Sequence, residues 1–367
     1  YPDLAQQIDH MQAGTLPEGW DAPLPSFEAS AKGVSSRDAA GKTLNAIAKQ
    51  VPWVLGGAAD LSPSTKTALT FDFAGVFEPG PLADNSERAK ADARNFAGRN
   101  FHFGIREHAM CAAVSGMALA GLRPFGAGFL IFTDYARGAM RLAAMMGLPV
   151  TYIWTHDSIA LGEDGPTHQP IEQLASLRAM PGMRVLRPAD ANETVEAWRI
   201  AMQRTDGPTS LVLSRQALPT LDRTQYASAA GLAQGAYVLA DCEGGSPEVL
   251  LLATGSEVAL CIAAYEQLKK EGVRARVVSM PSWDLFECQD SAYQESVLPD
   301  AVQARVSVEA GSGLGWDRYV GRHGAILAMH SFGMSAPGKD VMAHFGFDAA
   351  HVVRAAQEQL RRHQTKA

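Results

Sequence analysis

The stretch LGEDGPTHQP, Leu161 to Pro170, places two acids and a histidine among two glycines and two prolines. Proline fixes φ and glycine opens turns closed to other residues, so such a segment can hold polar groups in set positions. Asp164 and His168 are the groups it would present. The same composition also suits a plain surface loop stiffened by Pro166 and Pro170. FGIREHAM, Phe103 to Met110, puts Glu107 beside His108 where a strongly apolar helical run begins. The helix dipole alone favours a carboxylate in a first turn. Burial at the mouth of an apolar helix would also raise its pKa towards values useful for proton transfer. GFLIFTDY spaces Phe129, Phe132 and Tyr135 three apart. Rings at that spacing belong either to a core or to a stacking pocket for a heteroaromatic ligand. SSR ending at Arg37 and LSR ending at Arg215 supply guanidinium groups suited to phosphate. EAGSGLGW, from Glu309, lacks the full spacing of a dinucleotide loop and reads as a tight turn.

These residues need a scaffold, and the surrounding pattern supplies one. A helix is expected over SSRDAAGKTLNAIAKQV, from a Ser/Asp start. Apolar runs then alternate with helical stretches: WVLGGA, a helix from Glu107, RPFGAGF, a helix from Asp134, PVTYIWTH, a helix near Ile171, MRVLRP, a helix from Ala191, and TSLVLSR. Strands alternating with helices of this length indicate βαβ units and a mostly parallel sheet, ending near Asp222. Ligands of such sheets sit beyond the carboxyl ends of the strands, where Asp60, Phe129, His156 and Arg215 fall. The pattern resumes with EVLLLATG, a helix from Ser256 to Glu271 with a Ser start and a Gly stop, RARVVSM, ARVSVEA and a helix over AAHVVRAAQEQLRR. The fold class is therefore α/β, with two consecutive α/β domains. Tyr1 to Ser30 shows no sustained period and reads as an extended linker.

Composition narrows the function classes. The 367 residues are 47% hydrophobic and 19% charged, which is ordinary for a folded protein with a sizeable core. A net charge of -7 and a pI near 5.8 speak against wrapping nucleic acid, whose affinity comes from neutralised phosphates. Small anions need only local positive charge. The longest charge-free apolar run, Ala109 to Leu122, is too short for a bilayer, so no membrane partner is expected and the location reads as cytoplasmic. Cys111, Cys242, Cys261 and Cys288 are scattered, without zinc-like grouping, and read as reduced core thiols.

Taken in order, GGAADLSPS, FGIREHAM, GFLIFTDYARGAMRL, THDSIALGEDGPTHQP and LSRQALP resemble the transketolase family over essentially the whole chain. The resemblance implies thiamine diphosphate as cofactor. It also implies transfer of a two-carbon ketol unit from a ketose phosphate to an aldose phosphate, as in the pentose phosphate pathway and Calvin-type sugar exchange. Glu107 matches the catalytic glutamate that hydrogen-bonds the cofactor's aminopyrimidine. Phe129, Phe132 and Tyr135 match the aromatic pocket around that ring, and Asp60 an acid near the cofactor. Asp164 and His168 match residues that meet sugar oxygens near the reacting carbon, His168 being counted as catalytic. Arg37, Ser64, His156 and Arg215 match the cluster gripping the sugar's terminal phosphate.

The family's Gly-Asp-Gly motif, which holds the diphosphate through a divalent metal (Mg or Ca), has no match here, and no metal ligand is assigned to this chain. The resemblance thus implies residues 1–30 as a linker from an absent N-terminal domain, 31–225 as the pyrimidine-binding domain and 230–367 as the C-terminal domain. The expected protein is the C-terminal two-thirds or so of a longer enzyme, a fragment rather than a natural split subunit, inactive alone and normally a homodimer. Rival readings are another thiamine diphosphate enzyme, such as deoxyxylulose-phosphate synthase or a pyruvate dehydrogenase beta-type subunit, and a catalytically silent transketolase-like interaction module.

Overall fold

Two parallel-stranded sheets follow one another along the chain, and the computed structural model describes residues 1–79 and 93–364. The first sheet contains β2 (Val54–Ala58), β3 (Asn100–His102), β4 (Arg123–Phe129), β5 (Thr151–Thr155), β6 (Arg184–Leu186) and β7 (Thr209–Leu213). They lie side by side in the order β3-β2-β4-β5-β7-β6, every pair parallel. β4, β5 and β7 are buried along their whole length, because helices cover both faces. On one face Phe125, Ile153 and Leu211 pack with Leu44, Ile47 and Trp198; on the other Tyr152, Trp154 and Val212 pack with Met110, Val114 and Met140. Successive side chains of one strand thus serve opposite cores.

A two-stranded antiparallel ribbon of β1 (Ser30–Ser35) and β8 (Ala217–Thr220) joins the start of this domain to its end. Beyond it come β9 (Tyr237–Ala240), β10 (Val249–Ala253), β11 (Ala275–Ser279), β12 (Arg305–Ser312) and β13 (Ala325–Met329). Their order is β13-β12-β10-β11-β9, with only β9 antiparallel. Helices Val258–Lys270 and Ala349–Gln364 pack together against this second sheet. No described helix is long and apolar enough to cross a membrane.

Three expectations need correction. Residues Pro2–Ala13 form a helix rather than extended chain, with Pro2 in its first turn and Gly14 closing it at φ 67. Besides these start and stop signals, Leu4, Ile8 and Met11 share one face and Met11 packs against the first domain's core, though none of its residues is fully buried. Cys111 and Cys261 are core thiols, but Cys242 is only half-buried and Cys288 is exposed. Finally, Glu309 to Ser312 continue β12, and EAGSGLGW turns only afterwards.

Candidate active site

In the first sheet the chain passes from β2 to β3 on one side and to β4 on the other, so a crevice opens where the order reverses. The carboxyl ends of β2, β4, β5 and β7 deliver Asp60, Phe129, His156 and Arg215 to that edge. Asp60 and His156 sit in the left-handed region, at φ 63 and 60. Such backbone costs a non-glycine residue about 1 kcal/mol or more and tends to mark functional positions.

The rings gather around Phe129. Its centroid lies 3.7 Å from that of His156, and Phe132 stacks on it at 5.9 Å with an 11° interplanar angle. His168 meets Phe129 and Phe132 edge-on, at 6.2 and 5.7 Å. Tyr135 lies 6.0 Å from Phe132 and is 67% exposed, which puts it on the outer rim.

Positive charge converges on the same place. Arg37 Nη1 donates to the Ser64 carbonyl at 2.8 Å, while its buried Nε has no protein partner among the described residues. Arg215, exposed, reaches the Leu161 carbonyl at 3.4 Å. Burial lowers the Arg37 pKa; Asp38 opposes that shift and Arg215 adds to it. Burial, then Arg37, Arg215 and His168, push the His156 imidazole down to about 3, so it is neutral at ordinary pH. Its Nδ1 lies 2.8 Å from Thr155 Oγ1. Two guanidinium groups near a neutral imidazole and near each other form a site that an anion with several acceptor oxygens would relieve.

Glu107 is the first residue of helix Glu107–Leu119 and is 6% exposed. The loop before it docks on the end of β2, where the Phe103 N–H donates to the Ala58 carbonyl at 3.4 Å. Burial and then Glu107 raise the Cys111 pKa one turn further along. The loop Leu161–Pro170 folds on itself: the N–H groups of His168 and Gln169 both donate to the Gly165 carbonyl, at 3.0 and 3.1 Å. Thr167 Oγ1 lies 2.9 Å from His168 Nδ1, and Asp164 is exposed. The structure therefore draws Arg37, Ser64, Phe129, Phe132, His156, His168 and Arg215 into one cluster. Asp60 and Glu107 stand at the β2 end of the same sheet edge, and Asp164 projects from the neighbouring loop.

A stacked pair of rings, Phe129 buried and Phe132 partly exposed, with a buried helix-mouth carboxylate on the same domain, fits one end of a flat heteroaromatic cofactor. A diphosphate–metal end finds no such fit: no group of three or more His, Cys, Asp or Glu among the described residues could hold a metal ion.

Just behind the cluster lies a second set of charges absent from the sequence reading. Asp157, beside His156, accepts from Arg187 Nε and Nη2 at 3.1 and 2.8 Å. Arg187 also donates to the Thr254 carbonyl and Oγ1, at 3.1 and 2.8 Å, and to Glu257. Glu309 accepts from Arg178 Nη1 and Nη2, both at 2.8 Å, and from Trp316 Nε1 at 2.9 Å. Gly255, at φ 54, leaves room for this: a Cβ there would lie 2.7 Å from Arg187 Cζ. A signal existed in the sequence, since Glu257 and Glu309 sit in apolar runs where an unpaired carboxylate would be prohibitive.

Comparison with known proteins bears on this arrangement. Residues 32–220 match the transketolase pyrimidine-binding domain, and residues 235–348 match the transketolase-like C-terminal domain. A transketolase of Halalkalibacterium halodurans is 53% identical over 361 residues, which cover 98% of this chain and 52% of that protein. The transketolase of Pichia stipitis, solved in complex with sedoheptulose-7-phosphate, superposes with a TM-score of 0.88 at 37% identity, covering all of this chain and 51% of that one. A split-gene transketolase described as an inactive β4 tetramer superposes with a TM-score of 0.67 at 25% identity, covering 90% of this chain and 99% of that one. The chain spans about half the length of the curated relatives it matches, less than the two-thirds expected. With two domain matches in sequence order, across a fold that superposes on solved members, the chain belongs to the transketolase family.

Proposed function

We propose that this chain forms the sugar-phosphate and pyrimidine-binding part of a transketolase. The complete protein would move a two-carbon ketol unit from a ketose phosphate to an aldose phosphate. The observation that carries this is the convergence of Arg37, His156 and Arg215 beside the stacked Phe129 and Phe132 at the carboxyl ends of adjacent strands. The chemistry of breaking and remaking the bond beside the ketose carbonyl is supplied by thiamine diphosphate when bound.

The chain's own residues bind and orient. Phe129, Phe132 and Tyr135 would pack around the aminopyrimidine, with Asp60 close to the cofactor. Glu107, desolvated at its helix mouth, would hold a proton at a ring nitrogen. Arg37, Ser64, His156 and Arg215 would take the terminal phosphate through charge-assisted hydrogen bonds. Asp164 and His168 would align sugar hydroxyl and carbonyl oxygens near the reacting carbon. The divalent metal, magnesium or calcium, would be held by a domain outside this chain. A homodimer with cofactor between subunits, a cytoplasmic location and a place in sugar-phosphate exchange complete the reading. So does its division into a linker (1–30), a pyrimidine-binding domain (31–225) and a C-terminal domain (230–367).

The test is ketol transfer with and without a separately made diphosphate-binding domain. The chain alone is expected to be inactive, and the pair active. In the active form Glu107→Ala should lose on the order of 10² in rate or more. Calorimetric titration of the chain alone with thiamine diphosphate and magnesium should show no tight binding; micromolar affinity would overturn the reading. A second reading, a subunit encoded apart from its partner, is favoured by the match over 99% of the split-gene protein. The intact mass of the native gene product separates the two.

A further inference from the structure

The loop bearing Asp164 and His168 is gripped from outside its own domain. Gln169, 1% exposed, donates through Nε2 to the Gly162 carbonyl within the loop and to the Met334 carbonyl in the C-terminal domain, both at 2.9 Å. Ser335 Oγ donates to the Glu163 carbonyl. The two segments meet through glycines that leave no room for a side chain. A Cβ on Gly333 would lie 1.9 Å from Gln169 Oε1, one on Gly338 2.4 Å from the Ala160 carbonyl oxygen, and one on Gly162 2.8 Å from the Gly338 nitrogen. Contact this close over the length of the loop exceeds what joining two domains requires. It fixes the loop's backbone on both sides of Asp164.

We propose that segment 333–338 of the C-terminal domain, closing on Gln169, is the positioning device for Asp164 and His168, so that this domain governs turnover at a site built by the other. The inference rests on the reading that Asp164 and His168 meet the sugar near its reacting carbon. Gln169 is a positioning residue: its amide faces backbone carbonyls, and its effect passes through the loop it holds. The phosphate-facing Arg37 and Arg215 rise from the helix Ser36–Gln50 and the end of β7, outside the loop, Arg215 reaching only its first residue through a long 3.4 Å bond to the Leu161 carbonyl. Loosening the clamp should therefore affect chemistry more than phosphate binding.

Gln169→Met keeps the volume and removes the amide, while Gly333→Ala forces Gln169 aside. Hydrogen exchange on the chain itself should show amides of residues 162–169 opening roughly tenfold faster in both variants, with β4 and β5 unchanged. In the active enzyme, kcat should fall about tenfold or more while KM for a phosphorylated donor stays within about twofold. Adding Gly333→Ala to Gln169→Ala should cost little further, because the clash partner is gone. Should Gln169→Met fail to fold, Ser335→Ala, which removes one bond at an exposed position, is expected to move the same exchange signal in the same direction. Unchanged exchange over residues 162–169, full additivity of the two substitutions, or a rise in KM with kcat intact would each overturn the proposal. If the wild-type enzyme transfers no ketol unit, the functional reading fails, while exchange and coupling still decide the clamp.

Discussion

His156 and Asp157 are adjacent in sequence and both face guanidinium groups, but in opposite circumstances. His156 looks towards Arg37 and Arg215, whose like charges help force it to remain neutral, and the Nε of Arg37 finds no protein partner among the described residues. Asp157 looks towards Arg187, in a set of carboxylates and guanidiniums that use up one another's hydrogen bonds. Burial pushes the Glu309 carboxyl up, but Arg178 and Arg187 outweigh it and hold it down at about 2. Burial also raises Glu257, and there the single Arg187, shared with Asp157, offsets it only in part. The second set is buried, Arg178 nearly so, whereas of the first only His156 is buried and Arg215 is exposed; they differ above all in satisfaction. Charges that complete one another tie the two domains to each other, whereas charges left facing their own kind would suit the anion of the proposed function.

The largest expected effect breaks the satisfied set. Arg187→Met leaves Asp157 and Glu257 buried without their cation and should cost about 3–5 kcal/mol, read from urea or thermal unfolding. Next comes the unsatisfied set. Arg215→Ala should leave stability within about 0.5 kcal/mol of the parent. It should raise KM for phosphorylated over unphosphorylated sugars tenfold or more, from the loss of about 1.5–3 kcal/mol in a charge-assisted contact. Equal KM changes for both sugars would put Arg215 with the structural charges.

A third test is pH. His156 has a folded pKa of about 3, below its ordinary 6.5, so between those values the unfolded chain takes up a proton that the folded one refuses. Stability is therefore lost as pH falls through that window, with a slope of at most about 1.4 kcal/mol per unit. His156→Asn should flatten the curve measured by urea unfolding at pH 7 and pH 5; an unchanged slope would remove His156 from the account. The smallest effect is inorganic phosphate. At ten times its dissociation constant it should stabilise the chain by about 1.4 kcal/mol. Arg215→Ala should abolish that gain while Arg187→Met retains it.

The unsatisfied set was far more legible in the sequence than the satisfied one. A strand buried in a parallel sheet writes itself as an apolar run, and the next residues must lie at the ligand edge, which located Phe129, His156 and Arg215. Glycine and proline likewise betrayed the loop around Asp164. Arg187 gave no comparable sign, since its partners Asp157, Glu257 and Glu309 are far apart in sequence and meet only once two domains dock. Gln169 was hidden for the same reason: its role depends on Met334, 165 residues away. Short edge strands β1, β8, β9 and β13 also escaped: SAKGVS and ALPT carry no apolar run, and the apolar YVLA and AILAM are too short for periodicity to tell them from a piece of buried helix.

Gly255 carries a consequence for how such proteins change over time. The second sheet has its own crevice, where β11 and β12 leave β10 in opposite directions, and its mouth is occupied by Arg187 of the preceding domain against the bare backbone of Gly255. What would be a receptor has become a socket for a neighbour's side chain. A C-terminal domain transplanted without Arg178 and Arg187 would carry two desolvated acids, Glu257 and Glu309, into its new host. The unit that can be inherited or recombined intact therefore runs across the junction between the domains, not along it.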